Sequence, residues 1–158
     1  MTTVDLDTLD RKILRELQRD ATRSIDSLAA ELATSRTPVW SRIQKMRKAG
    51  VIERQVALVN PKAVGLNETF YVAVRTDQHE PDWLERFSAA VQEMPEILEA
   101  HRLAGDIDYL LRVQVRDPAD FDRFYKALIS RVKLHNVNSM LSMECLKRTT
   151  ELSVEQQC

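Results

Sequence analysis

Ser35-Arg36-Thr37-Pro38-Val39-Trp40-Ser41-Arg42-Ile43-Gln44-Lys45-Met46-Arg47-Lys48 is the stretch on which the fold of this 158-residue chain turns. Its spacing predicts a short basic helix. Ser35 is placed to cap the first turn with its hydroxyl, Pro38 is tolerated where the early N–H groups have no intrahelical partner, and Gly50 supplies the stop. Val39, Ile43 and Met46 follow the i, i+4, i+7 rhythm that aims three apolar side chains at one core. The opposite face carries Thr37, Ser41, Gln44 and Lys48, flanked by Trp40 and Lys45. No Asp or Glu occurs between Glu31 and Glu53, whereas Arg36, Arg42, Lys45, Arg47 and Lys48 do. Such a helix suits the major groove of DNA. Short hydroxyl and amide groups meet base edges there, and surrounding cations neutralise phosphates. Charge alone does not decide the matter, because a basic helix face is often only a solvated surface.

The residues before the helix strengthen the case. Leu6, Leu9, Ile13, Leu14 and Leu17 lie at helical spacing in residues 5–20, with Arg11, Lys12, Arg15 and Arg19 toward the other side. Ser24 or Asp26 caps a second helix over residues 25–33, whose buried stripe is Leu28, Ala29 and Leu32. Ala33-Thr34-Ser35 leaves room only for a tight turn, so the last two helices form a helix-turn-helix. Residues 54–59 alternate as a strand does, which predicts a winged or strand-extended version.

Asn60-Pro61 and Gly65 punctuate a connector over residues 60–67. The charge balance changes sign there: residues 1–62 hold 12 Lys and Arg against 8 Asp and Glu, net +4, and residues 63–158 hold 11 against 16, net −5. That split predicts two domains with different partners, the first of them a polyanion. We therefore expect a DNA-binding domain over residues 1–59, a linker over 60–67 and a second domain over 68–158.

The second half repeats a unit of strand, polar turn and amphipathic helix. Strands are expected over residues 69–75, 97–103, 109–115 and 137–146, with helices around residues 82–91 and 120–129. The order β-α-β-β-α-β is that of a ferredoxin-like antiparallel sheet, which makes the whole chain α+β. Two helices cover one sheet face only. The other is expected to be apolar and to pack against a second copy, so a homodimer is predicted. Between the middle strands, Gly105 allows a tight turn into which Asp106 and Asp108 bring two carboxylates. These suit an ammonium group, a cation, or the turn's own amides.

Composition sets outer limits. No stretch is apolar for long enough to span a bilayer, and the polar, acidic amino terminus lacks the regions of a signal peptide, which predicts a cytoplasmic chain without membrane contact. Cys145 and Cys158, without C-x-x-C spacing or a neighbouring histidine pair, point to neither a disulfide framework nor zinc. Cys145 is expected on a strand face and Cys158 as an exposed thiol. No metal or cofactor is implied.

Taken together, several motifs resemble the Lrp/AsnC, or feast/famine, family of transcription regulators. They are Leu9-Asp10-Arg11-Lys12-Ile13-Leu14, Leu28-Ala29, Pro38-Val39-Trp40-Ser41-Arg42-Ile43, Gly50-Val51-Ile52, Asn60-Pro61 and Gly105-Asp106-Ile107-Asp108-Tyr109-Leu110-Leu111. Trp40 and the stretch from Glu93-Met94-Pro95-Glu96-Ile97-Leu98 to Arg112-Val113 most resemble its DecR-like branch. The resemblance implies a sequence-specific regulator of amino-acid metabolism that assembles as dimers and as ring-like tetramers or octamers, with an amino acid as effector. It places the recognition helix on residues 36–48 and the effector loop on Ala104, Gly105, Asp106 and Asp108, near the interface between dimers. A dimer of such helices expects a pseudo-palindromic operator of double-stranded DNA with half-sites about 34–36 Å apart, or a multiple of that. Thr37, Trp40, Ser41, Gln44 and Lys45 are then candidates for base or sugar contacts. Arg36, Arg42, Arg47 and Lys48 are candidates for phosphates, although Arg42 lies close enough to the apolar stripe to pair with an acid instead.

Two departures bear on the effector. Ala104 stands where relatives often carry serine, and Leu134-His135-Asn136-Val137 stands where many have Leu-Pro-Gly-Val. An enzymatic alternative comes from the sirohaem decarboxylases, which share the two-domain resemblance and would draw on His79, His101 and His135. Catalysis needs a positioned partner for such groups, and the sequence offers none. A third alternative is an effector-binding interaction module with a purely structural helix-turn-helix.

Overall fold

Helix α1, Thr8–Arg19, begins where the sequence supplies a cap: the Asp7 carboxylate accepts from the Leu9 and Asp10 backbone N–H groups, and the Asp10 side chain returns a bond to the Asp7 N–H. This capping box satisfies donors that have no partner inside the helix. The geometry comes from a computed structural model that describes residues 4–77 and 80–154. Ser24 caps α2, Ile25–Glu31, through the Ser27 N–H. The expected alternative, Asp26, lies within the first turn. Ala33 then takes a left-handed backbone, φ 49°, and the Thr34 N–H donates to the Ala29 carbonyl, so the chain reverses into α3, Arg36–Lys48. Ser35 stands at the N-cap, as expected, but its side chain makes no capping bond. Gly50, at φ 73°, adopts the left-handed stop anticipated for it.

Val39, Ile43 and Met46 are buried against Ile13, Leu14, Leu28 and Ala29, and these seven residues form the core of the helical unit. The alternating segment over residues 54–59 forms no ladder with any described strand, and all of it is exposed. A strand stands only where another edge satisfies its N–H and C=O groups, and among the described residues no such edge pairs with it.

The second unit spans residues 59–146, whereas residues 147–154 group with residues 4–58 in the first. The carboxy-terminal segment expected in the second domain therefore belongs with the helices. Within the second unit, strands β1 (Glu68–Arg75), β2 (Ile97–Arg102), β3 (Tyr109–Val115) and β4 (Asn136–Leu141) form one antiparallel sheet in the order β2-β3-β1-β4. Helices α4, Pro81–Glu93, and α5, Pro118–Arg131, bury Trp83, Phe87, Ala90, Phe124 and Leu128 against Phe70, Val72, Val74, Leu111, Val113 and Val115. This is the ferredoxin-like βαββαβ arrangement expected from the repeat. Strand β4 is shorter than expected: it ends at Leu141, and Cys145 lies exposed beyond it rather than on a strand face. Cys158 and His79 lie outside the described residues.

The sheet face away from the helices differs from expectation. Cross-strand partners share a face, so it carries Tyr71 with Arg112 and Met140, Ala73 with Leu110 and Asn138, and Arg75 with Asn136, joined by Glu99 and His101 of β2. That surface is mixed rather than apolar. Arg112 donates to Glu99 at 2.7 Å, and His101 lies 3.6 Å from the same carboxylate. Burial acts to raise the Glu99 pKa, but bonding to Arg112 and then His101 outweighs it and holds the group below its ordinary value.

Candidate nucleic-acid interface and acidic turn

Helix α3 sorts its polar side chains into two sets. Arg36, Thr37, Trp40, Ser41, Lys45 and Lys48 are exposed and Gln44 is half-buried. Trp40 shows 55% of its surface to solvent. Its counterpart Trp83 is buried and bonded through Nε1 to the Lys133 carbonyl, as an indole in a core requires. Arg36 lies 3.8 Å from the Asp26 carboxylate, and both partners are well exposed, a contact of small energetic weight. The face is thus cationic and hydroxyl-bearing, with an aromatic ring among its short polar groups.

Arg42 and Arg47 are held otherwise. The Arg42 guanidinium donates to Asp7 at 2.5 Å and to buried Asp10 at 2.8 Å, so it ties α3 to the capping box of α1. Of the two roles open to Arg42 in the sequence, the pairing with an acid is the one it adopts. The Asp10 backbone N–H and then Arg42 hold the Asp7 carboxyl below its ordinary value. Arg47 donates to Gln55 at 2.5 Å, beyond the helix. The sequence signal for the Arg42 clamp was the acidic pair Asp7 and Asp10 at the start of α1.

The acidic turn is built around Gly105, whose φ of 147° is rarely adopted by residues with a side chain. The Leu103 N–H donates to the Asp108 carbonyl at 2.8 Å and closes the hairpin. The two carboxylates have different surroundings. Asp108 accepts the Thr76 N–H at 2.8 Å and so fastens the end of β1, while Asp106 is exposed together with Ala104 and Gly105. Beside the turn lies a pocket of about 370 Å³ lined by Ala73, Arg75, Ile107, Asn136, Val137 and Asn138. Arg75, Asn136 and Asn138 were missed as site residues. Their signal was the alternation along β1 and β4, which puts Arg75 and Asn136 opposite each other in register.

Of the histidines of the enzymatic alternative, the two among the described residues are exposed, His101 beside Glu99 and His135 3.3 Å from Asp77. No helix of the described residues is long and apolar enough to cross a membrane.

Comparison with known proteins assigns both halves. Residues 6–53 match the winged helix-turn-helix DNA-binding family and residues 69–152 the Lrp/AsnC ligand binding domain. The chain is 46% identical over 147 residues to the glutamate uptake regulatory protein of Zymomonas mobilis, covering 93% of this chain and 90% of that one. It is 42% identical to the DNA-binding transcriptional activator DecR of Escherichia coli, covering 95% and 99%. A crystal structure of an AsnC family transcriptional regulator from Agrobacterium tumefaciens superposes with a TM-score of 0.90 at 50% identity, covering 93% of this chain and 96% of that one. A Neisseria meningitidis transcriptional regulator in complex with L-Met does so with a TM-score of 0.89 at 30% identity, covering 94% and 96%.

Proposed function

The chain belongs to the Lrp/AsnC family of DNA-binding transcription regulators, and on that footing we propose that α3 reads an operator while the pocket beside the acidic turn receives a free amino acid. The protein is a regulator and not an enzyme, as its family and its named relatives are. What carries the DNA reading is the exposed face of α3, which holds Arg36, Thr37, Trp40, Ser41, Lys45 and Lys48 and no carboxylate. Thr37, Trp40, Ser41, Gln44 and Lys45 face base edges or sugars, and Arg36 and Lys48 face phosphates. Arg42 acts by positioning, and Arg47 reaches a phosphate only after leaving Gln55. Two such helices in a homodimer, or more in a tetramer or octamer, fit a pseudo-palindromic operator in the cytoplasm.

Zwitterion chemistry supports an amino-acid effector. Arg75 is suited to a carboxylate and the Asn136 and Asn138 amides to either group, around a volume of about 370 Å³, while Asp106, outside that lining but next in sequence to its Ile107, is suited to an ammonium group. The L-Met complex of the Neisseria regulator shows that a protein of this fold accepts an amino acid. An effector controls DNA binding only by favouring one assembly state over another. The test is fluorescence anisotropy on promoter DNA adjoining the protein's own gene, with salt varied and each of the twenty amino acids added in turn. One amino acid is expected to shift a salt-sensitive affinity, and Asp106→Ala to abolish that shift while leaving DNA binding intact. An unchanged dose response in Asp106→Ala removes the turn from the site; absence of DNA binding at any salt removes the regulator's reading helix.

A further inference from the structure

Beyond β4 the chain runs exposed through Met143 and Leu146, then lies along α1. The Gln18 side chain grips Leu152 at both backbone groups: the Leu152 N–H donates to Gln18 Oε1 at 2.6 Å and Gln18 Nε2 donates to the Leu152 carbonyl at 3.1 Å. Arg11 Nη1 donates to the Val154 carbonyl at 2.7 Å, and Arg19 pairs with Glu151 at 3.4 Å. Val154 packs half-buried on the helical core, and Leu152 remains mostly exposed. Most of these bonds go to main chain, the way a strand is captured with little regard to its side chains. Each such bond is worth about 0.5–1.5 kcal/mol net, and Val154 is the half-buried apolar anchor.

Both ends of this segment lead somewhere. Arg11 also donates through Nε to the Leu6 carbonyl at 3.1 Å, next to Asp7, which with Asp10 holds Arg42 of α3. In the other direction the chain leads back to β4, whose Asn136 and Asn138 line the pocket beside the acidic turn. We propose that the Arg11, Gln18 and Arg19 face of α1 is a binding site for the chain's own carboxy-terminal segment, residues 150–154, and that seating and release of this segment carry the effector signal to α3. The first half stands on the contacts alone; the second rests on the amino-acid reading of the pocket. The linker is then not the sole covalent route between effector and reading helix.

The full chain, a chain ending at Thr149, and Gln18→Leu are compared by anisotropy on the same promoter DNA with the twenty amino acids, and by calorimetric melting. A synthetic peptide of residues 147–158 is titrated to millimolar concentration into the shortened chain, with chemical shifts of the Gln18 side-chain amide as the readout. Both altered chains are expected to bind DNA within about threefold of the full chain and to lose at least two thirds of its effector shift. The peptide is expected to bind, move the Gln18 amide and raise the melting temperature without restoring the shift, because the covalent link is cut. A full effector shift in the shortened chain overturns the transmission route. An unmoved Gln18 amide overturns the binding site. If the full chain itself responds to no amino acid, the effector reading fails together with the transmission, and the peptide titration alone sustains or overturns the site.

Discussion

Replacing Asp10 with Ala is expected to loosen the recognition helix without touching its DNA-facing surface. The Asp10 side chain is 5% exposed and receives Arg42 at 2.8 Å, while 31% of the Arg42 side chain reaches solvent. Removing one partner of a fully buried pair costs about 3–5 kcal/mol, and the partial exposure of Arg42 brings this to roughly 2–3 kcal/mol, including the lost reciprocal bond to the Asp7 N–H. At about 4–8 °C per kcal/mol for a unit of this size, melting of the helical unit is expected to fall by roughly 8–24 °C. Arg42→Met separates positioning from phosphate binding. A residue that neutralises a phosphate contributes about 0.9 to the slope of log affinity against log salt, so losing it flattens the slope by that amount for each protomer bound. Arg42→Met is expected to lower the melting temperature and leave the slope unchanged, whereas Lys48→Met flattens the slope and leaves melting unchanged. Anisotropy titrations between 50 and 200 mM salt, about the range over which such slopes are read, decide between them. A flattened slope with unaltered melting in Arg42→Met refutes the clamp.

The other predictions concern acid stability and the turn between helices. Asp120 is held at about 2, below the ordinary aspartate value of 3.8, chiefly by the Arg116 side chain and backbone and then by Arg123. A carboxylate depressed on folding contributes stability above its unfolded value and loses it as pH falls toward the folded one, so this contribution disappears between about pH 4 and 2. Acid unfolding of Asp120→Asn followed by circular dichroism is expected to lack that component, and an NMR titration midpoint for Asp120 near 4 in the wild type contradicts it. Ala33 sits at φ 49°. A left-handed residue with a side chain is disfavoured by about 1–2 kcal/mol, and glycine gives back about 0.5–1 kcal/mol in unfolded-state entropy, so Ala33→Gly is expected to stabilise by a few tenths to about 1 kcal/mol in urea denaturation. Ala33→Val is expected to destabilise, and a destabilised Ala33→Gly argues against the strained turn.

Much of the fold was legible because it follows local periodicity. Val39, Ile43 and Met46 announce their buried face by spacing, and the repeated strand-helix unit announces the sheet. Three features escaped for a physical reason each. Residues 54–59 alternate like a strand, but pairing depends on an edge that local pattern does not contain. The open sheet face was expected to be apolar from the number of helices alone, whereas the pairings of Glu99 with Arg112 and of Arg75 with Asn136 emerge only once register is known. The docking of residues 150–154 depends on a side-chain amide far away in sequence, Gln18, which no periodicity singles out. At the candidate site, the identities of exposed α3 residues were readable from helix phase. Which arginines stay free for phosphate was not, since that depends on where Asp7, Asp10 and Gln55 come to lie.

Residues 147–154 complete the unit that begins the chain, and this orders its assembly during synthesis. Translation delivers α1, α2 and α3 first, and they are able to collapse on their shared core as soon as they emerge. The segment that lies along α1 is made only after the whole sheet domain. The first part of the protein to be synthesised is therefore the last to be finished, and a fragment cut at the linker carries the reading helix but leaves the Arg11, Gln18 and Arg19 face of α1 bare.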